Sequence, residues 1–231
     1  VRRPLRDERG VVQETVARAA LEVLDEMGLD GLSVRLIGDR VGVRGPALYW
    51  YFRNKQALLD EMAEVMLADR ADALGRPADG EPWWEWLERT ARWLRLALLS
   101  HRDGARVFAG TTMPAERTFL RMLDLVVAVL RAAGFPAADA LRAATTVHAY
   151  VVGSTIEEQS TPPPEGFEPP EAGFPGAADY PALAAAFAEF DLDPDRTFEH
   201  GLGLILAGLR AWESRLDALE RHLDAMPDTE V

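Results

Sequence analysis

Apolar residues recur at spacings of three and four along nearly the whole chain, which is the mark of amphipathic helices; no stretch shows the alternation of a strand. Val12, Val16, Ala19, Ala20, Val23, Leu24 and Met27 form one stripe, which predicts a first helix from about Val11 to Met27 that Gly28 stops. Val34, Ile37 and Val41 share a second short face behind Ser33, a good N-cap, and Gly42 breaks it. A third short helix starts at Pro46, where a missing N–H costs nothing, and buries Leu48 and Phe52. Leu58, Leu59, Met62, Val65 and Met66 predict a longer helix over about 55–74. Past a loop at 75–80, further helices are expected at about 82–100, 104–109, 114–133, 137–159, 181–190 and 194–224, with Pro82, Pro114, Pro136, Pro181 and Pro194 near their starts. The fold class expected is all-α.

A helix, a tight glycine-containing turn and a second short helix make the helix-turn-helix pattern, whose second helix enters the DNA major groove. Tyr49, Trp50 and Tyr51 are consecutive on so short a helix that they cannot all face one core. Tyrosine and tryptophan can pack on sugars and thymine methyl groups and hydrogen-bond phosphate. Arg44, in the turn, is placed to reach a base edge, with guanine the expected base. Lys55, the only lysine, stands where the next helix start already favours phosphate. Ser33, Arg35, Gly45, Pro46 and Ala47 complete the DNA-facing set. The plainer alternative, that the aromatics only pack a small domain, leaves the turn spacing and flanking arginines unexplained. The pattern divides the chain into a three-helix head over 1–54, a connecting helix over 55–74 and a larger body over 75–231.

Charge sharpens that division. The formal net charge is −13, yet residues 1–55 carry ten basic and eight acidic side chains, and the remaining 15 basic and 30 acidic ones lie beyond. A weakly basic head on a strongly acidic body confines any DNA contact to one end. Arg2, Arg3, Arg6 and Arg9 form an arm that either orders on phosphate or is merely solvated. The chain has no cysteine, which excludes disulfides and thiolate-bound zinc. Without an apolar leader or a bilayer-length apolar run, the expectation is a cytoplasmic protein with no membrane partner.

In the body, 137–159 carries Leu141, Ala144, Val147, Val151 and Val152. The 194–212 helix is apolar almost all round between Gly201 and Leu209, with Gly201, Gly203, Ala207 and Gly208 permitting close approach. Two such helices meeting their twofold copies make a four-helix bundle, hence an expected homodimer, which the charged tail from Glu213 to Met226 either lengthens or leaves. Segment 160–180, with six prolines and three glycines, reads as a mobile flap or a solvated linker. Catalysis finds little support. The histidines 101, 148, 200 and 222 form no i, i+4 pair, there is no phosphate loop or nucleophile elbow, and adjacent Glu157 and Glu158 diverge by about a hundred degrees on a helix. A helical module that binds a small molecule or protein without DNA remains the rival reading.

Ser33 to Val43, Leu48 to Phe52 and Asn54 to Leu58 resemble the TetR family of bacterial repressors. Ala97 to Val107, Gly110-Thr111, Gly134-Phe135 and Gly153 through Gln159 are similar to the body of its tetracycline-responsive class. The resemblance implies a ligand-responsive repressor that binds a palindromic operator as a homodimer. In that class the body holds a magnesium–tetracycline chelate. Its metal-ligating histidine falls on Phe108, its asparagine on Thr90 and a neighbouring phenylalanine on Leu94. Its arginine falls on Thr112, beside a two-residue insertion at Met113-Pro114. A histidine of the connecting helix falls on Ala71 or Asp72, and a later histidine on Ala149, next to His148. Only Thr111 and Glu157 stay recognisable. The implied chamber joins Leu94, Phe108, Met113, Val126, Ala149 and Trp93 with Thr90, Thr111, Thr112, His148 and Glu157. That mix suits a largely apolar, multi-ring effector, with no metal or cofactor. His148 could instead be a hydrogen-bonded core histidine, Leu94, Met113 and Val126 plain packing, and Glu157 solvated. His101-Arg102-Asp103 is expected to brace a turn, with Asp103 near the next helix start.

Overall fold

The computed structural model describes residues 8–112, 118–160, 177–190 and 193–224, with side chains 213–224 set aside. Among these the chain is helical and has no strand: α1 (Glu8–Gly31), α2 (Val34–Val41), a 3-10 turn (Gly45–Trp50), α3 (Lys55–Ala68), a second 3-10 turn (Ala71–Ala73), α4 (Trp83–Leu98), α5 (Gly104–Ala109), α6 (Thr118–Ala132), α7 (Ala137–Ser160), a third 3-10 turn (Ala177–Asp179), α8 (Pro181–Glu189) and α9 (Pro194–Asp224). Arg2, Arg3, Arg6, Met113, Pro114 and most of segment 160–180 lie outside the described residues.

The head forms as its punctuation dictates. Gly28 takes φ 70° and kinks α1 where the apolar stripe ends. Ser33 caps α2 by accepting the Leu36 N–H, and Gly42 closes it in the left-handed region. Gly38 is needed for a different reason: a side-chain carbon there would stand 2.7 Å from the Val43 carbonyl oxygen, so only glycine lets the turn fold back onto α2. The recognition segment is a 3-10 turn rather than an α-helix, but it buries Leu48 and Phe52 as its spacing requires.

α3 is shorter than the apolar pattern suggests. Asn54 caps it through the Ala57 N–H, and it ends at Ala68 instead of near 74. Side chains hold the chain beyond that point: Arg18 grips the Asp69 carboxylate, and the Trp93 indole donates to the Arg70 carbonyl at 2.7 Å. From Asp60 to Leu67 every residue of α3 is buried. The helix packs on α1 in the head and on α4, α5 and α6 in the body, and one continuous apolar core runs through both.

The turn between α4 and α5 locks the body to α1. His101 Nδ1 lies 2.8 Å from Asp25, the Arg102 N–H donates to the same carboxylate, and the Leu29 N–H donates to Asp103. Asp103 therefore braces the end of α1 and makes no side-chain cap on α5. Gln159 ties α7 to this turn, donating to the Leu98 and His101 carbonyls and accepting the Ala105 N–H. Glu158 forms a paired contact with the buried Arg95, which also meets Asp195 at 2.7 Å. Glu158 and Gln159 thus tie α7 to α4 and to the turn before α5, and Arg95 extends the tie to α9.

Candidate nucleic-acid interface and effector cleft

At the tip of the head the residues that could meet DNA stand in water. Ser33, Arg35, Arg44, Tyr49, Trp50, Tyr51 and Lys55 are exposed, Gly45 and Ala47 half-buried, and the Pro46 side chain lies outside the described residues. Trp50 is 81% exposed, which no packing role explains. The Tyr51 carbonyl accepts from Gln13, so α1 steadies the segment that carries the aromatics. The arginines of the head fall into two groups. Arg18 pairs with Glu14 and Asp69, and Arg40 with Glu22 and Glu26. Arg35, Arg44, Arg53 and Lys55 have no acid partner among the described residues, and all four are exposed around the turn. Arg53 was not among the residues the sequence singled out; what marks it is its unpaired, exposed charge.

A narrow cleft, open to solvent and with a cavity volume of only about 20 Å³, lies between α4, α6 and α7 in the body. Leu87, Thr90, Ala91 and Leu94 of α4 line one side, Met122, Leu123 and Val126 of α6 a second, and Ala144, Val147, His148 and Val151 of α7 a third. Periodicity places them there: Ala144, Val147 and Val151 follow one face of α7, and Met122 and Val126 one face of α6. The Thr90 hydroxyl donates to the Trp86 carbonyl at 2.9 Å, so it offers the cleft only lone pairs. His148 is half-buried, and its Nδ1 has no hydrogen-bond partner among the described residues. Burial pushes its imidazole below the usual histidine value of 6.5. Phe108 and Phe119 stand against its ring with centroids at 5.7 and 4.9 Å.

The structure thus brings Thr90, Leu94, Val126 and His148 to one cleft, with Phe108 beside it. Met113 lies outside the described residues, and the other predicted contacts sit elsewhere. Ala149 and Glu157 are exposed and do not line the cleft, because one step along α7 turns a side chain by about a hundred degrees. Trp93 is buried in packing, its indole N–H spent on Arg70. The Thr111 hydroxyl donates to the Phe108 carbonyl. Thr112 is exposed, and both its N–H and its hydroxyl go to Asp60, at 2.9 and 2.5 Å. Leu123, Met122 and Leu87, which do line the cleft, were missed: an apolar lining residue reads like any core residue.

Asp60 and Glu64 were missed too. They lie one turn apart on α3, both buried. Asp60 accepts from Thr112 and Gln56, and Glu64 accepts the N–H and hydroxyl of Thr118 at 2.9 and 2.8 Å. The two carboxylates therefore hold both flanks of residues 113–117, and the second flank is the first residue of α6, a wall of the cleft. Gln56 adds a third tie, donating to the Gly110 carbonyl.

An exposed aromatic and cationic helix-turn-helix, joined by one buried helix to a body with an apolar cleft, defines a class: helix-turn-helix regulators with a helical effector-binding body. Residues 17–62 match the model of bacterial regulatory proteins of the tetR family, and residues 76–212 match the tetracyclin repressor-like C-terminal domain. The chain belongs to the TetR family. It is 44% identical, over 84% of its length and 88% of the relative's, to the class A tetracycline repressor of Escherichia coli transposon 1721. The structure of TetR (class A) with 5a,6-anhydrotetracycline and magnesium superposes with a TM-score of 0.63 at 38% identity, over 85% of this chain and 96% of that one. A possible TetR-family regulator from Streptomyces coelicolor gives 0.76 at 45% identity, over 86% and 98%. BioQ bound to its double-stranded DNA operator gives 0.63 at 30% identity, over 86% and 98%.

Proposed function

We propose that this protein is a cytoplasmic, homodimeric repressor that binds a near-palindromic operator and leaves it when a small, largely apolar effector enters the cleft between α4, α6 and α7. The observation that carries the reading is the path from cleft to DNA. The α6 wall and the 113–117 flanks are bonded to Asp60 and Glu64 of α3, and α3 continues from the recognition segment. An effector that binds the two arrangements of α6 unequally would shift the heads by that difference in affinity. Arg44, Tyr49, Trp50 and Tyr51 would read the groove, and Arg35, Arg53 and Lys55 would meet phosphate. The class A relative in complex with magnesium and BioQ on its operator support the two halves of the reading.

The second copy would pair through the outer faces of α7 and α9. Leu141, Ala149 and Gly153 on α7, and Gly203, Leu204, Ala207 and Gly208 on α9, are exposed. Leu204 is 64% exposed. Leu206, by contrast, is buried in the protomer's own core.

The metal chelate does not fit the residues present. Phe108 supplies no donor where the family's class has a histidine, and it is buried against Phe119. Thr112 is committed to Asp60, Glu157 is exposed away from the cleft, and among the described residues no three histidine or acidic side chains converge. The relatives are transcriptional regulators, and no catalytic role is proposed for this chain.

Selection of binding sites from a random duplex pool, followed by footprinting, tests the reading. It should return one sequence with two inverted half-sites protected together. Enrichment of no sequence would favour a helical module that does not act on DNA.

A further inference from the structure

α9 runs past the helix it packs on. Arg95 meets Asp195, Arg92 meets Glu199, and the Arg210 guanidinium lies over the Trp84 ring at 4.5 Å. The two helices are therefore antiparallel, and α4 begins, at Trp83, beside the point α9 reaches at Arg210. α9 nevertheless stays helical to Asp224. One apolar stripe follows it out of the core. Leu202 is fully buried, Ile205 and Leu209 are half-buried, and Trp212 is 45% exposed, because the protomer's cover thins where α4 ends. Past that point the sequence keeps the same spacing, with Leu216, Leu219 and Leu223. From Leu202 to Leu223 the intervals alternate between three and four without a break, which is the heptad repeat of a coiled coil.

A helical extension of about a dozen residues is marginal in water on its own, so its leucine stripe calls for a partner. The outer face of α9, where Leu204 is 64% exposed, is where the second copy would pair, and a second α9 is the neighbour that continues past the body with it. Charge selects the direction. In the heptad register set by Leu209, Trp212, Leu216, Leu219 and Leu223, Arg215 and His222 take one flank of the stripe and Glu213 and Glu220 the other. In a parallel pair Arg215 of each copy would face Glu220 of its mate, twice by symmetry; in an antiparallel pair like flanks would meet, acid against acid. We propose that residues 212–224 of α9 form a parallel two-stranded coiled coil with the same residues of a second copy. The segment follows residue 212, where the match to the family's C-terminal domain ends, so this contact adds to the α7–α9 pairing and is not part of that domain. The proposal rests on the homodimeric reading, since three leucines a side are too few to hold two copies by themselves.

The chain has no cysteine, so Leu216→Cys, Leu223→Cys and Ala218→Cys each carry a single thiol. The full-length variants are oxidised at low protein concentration and scored on non-reducing gels. A disulfide needs its two Cα atoms within about 7 Å, which a parallel pair offers at every stripe position and denies to Ala218 on the outer side. Leu216→Cys and Leu223→Cys should both cross-link, and Ala218→Cys should not. Ending the chain after Trp212 should leave a folded dimer whose dissociation constant in sedimentation rises about a hundredfold, the ordering cost of the tails offsetting most of the leucine burial. Cross-linking at only one stripe position, or equally at Ala218→Cys, would overturn the proposal, as would a shortened chain that dimerises as tightly as the full one. A full-length dimer without the cross-links would refute the coiled coil alone, whereas a full-length monomer would refute the homodimeric reading and the coiled coil with it.

Discussion

Replacing Asp60 by alanine should loosen the tie between α3 and the body by an amount the structure allows to be worked out. The buried carboxylate accepts three hydrogen bonds: the Thr112 hydroxyl at 2.5 Å, the Thr112 N–H at 2.9 Å and the Gln56 amide at 2.9 Å. A hydrogen bond to a charged group contributes about 1.5–3 kcal/mol. The three do not add in full. Thr112 is exposed, so its freed donors find water, and Gln56 keeps its bond to the Gly110 carbonyl. The carboxylate's own desolvation cost also disappears with it. The expected net loss is about 2–3 kcal/mol, which for a chain of this size lowers the unfolding midpoint by roughly 5–10 °C. Thermal unfolding of Asp60→Ala, Thr112→Val and the double variant isolates the hydroxyl–carboxylate bond, with an expected coupling of about 1–2 kcal/mol. In an operator-release titration Asp60→Ala should retain DNA binding and lose part of its response to effector. A coupling near zero, or an unchanged midpoint, would refute the argument that this bond joins the two parts.

Arg44→Ala should cost about 1–3 kcal/mol of operator affinity and relax the preference at one base position, as read by anisotropy against a panel of substituted operators; intact affinity and preference would remove Arg44 from base reading. Lys55→Ala should weaken all sequences alike and reduce the slope of log affinity against log salt by about one unit. Leu204→Arg should yield folded monomers in sedimentation, since its side chain is exposed, whereas Leu206→Arg should unfold the protomer by burying a charge in its core. For His148, burial lowers the folded imidazole below 6.5, so the unfolded chain takes up a proton first. The resulting stability is complete above that pH and is lost as the pH falls from 6.5 towards the lowered value, so the midpoint of His148→Leu should fall less than wild type between pH 7 and 5.

Much of the fold was legible because local signals agreed. Ser33 caps and Gly42 closes α2 where their chemistry says they should, and the apolar spacing of Ala144, Val147 and Val151 marks the face of α7 that turns inward. The expected end of α3 near 74 was overturned by partners distant in sequence: Arg18 on Asp69 and Trp93 on Arg70 are choices no window around the helix reveals. The cleft was half legible. Thr90, Leu94, Val126 and His148 reach it, but positions carried over from the family's chelate site, such as Ala149 and Glu157, land on an outer face. The buried acids of α3 were hidden because acidic residues on a helix ordinarily mark its solvent side. Their donors, Thr112 and Thr118, lie more than 50 residues away.

Operator release by tetracycline, with Mg²⁺ and with EDTA in its place, tests most directly the claim that the family's DNA switch is kept here while its ligand chemistry is not. With the selected operator bound, tetracycline should be a poor releaser, and exchanging Mg²⁺ for EDTA should change nothing, because Phe108 offers a metal no donor. A neutral fused-ring compound should release the operator under both conditions. Release by micromolar tetracycline that requires Mg²⁺ would contradict the account and return the chelate to the cleft.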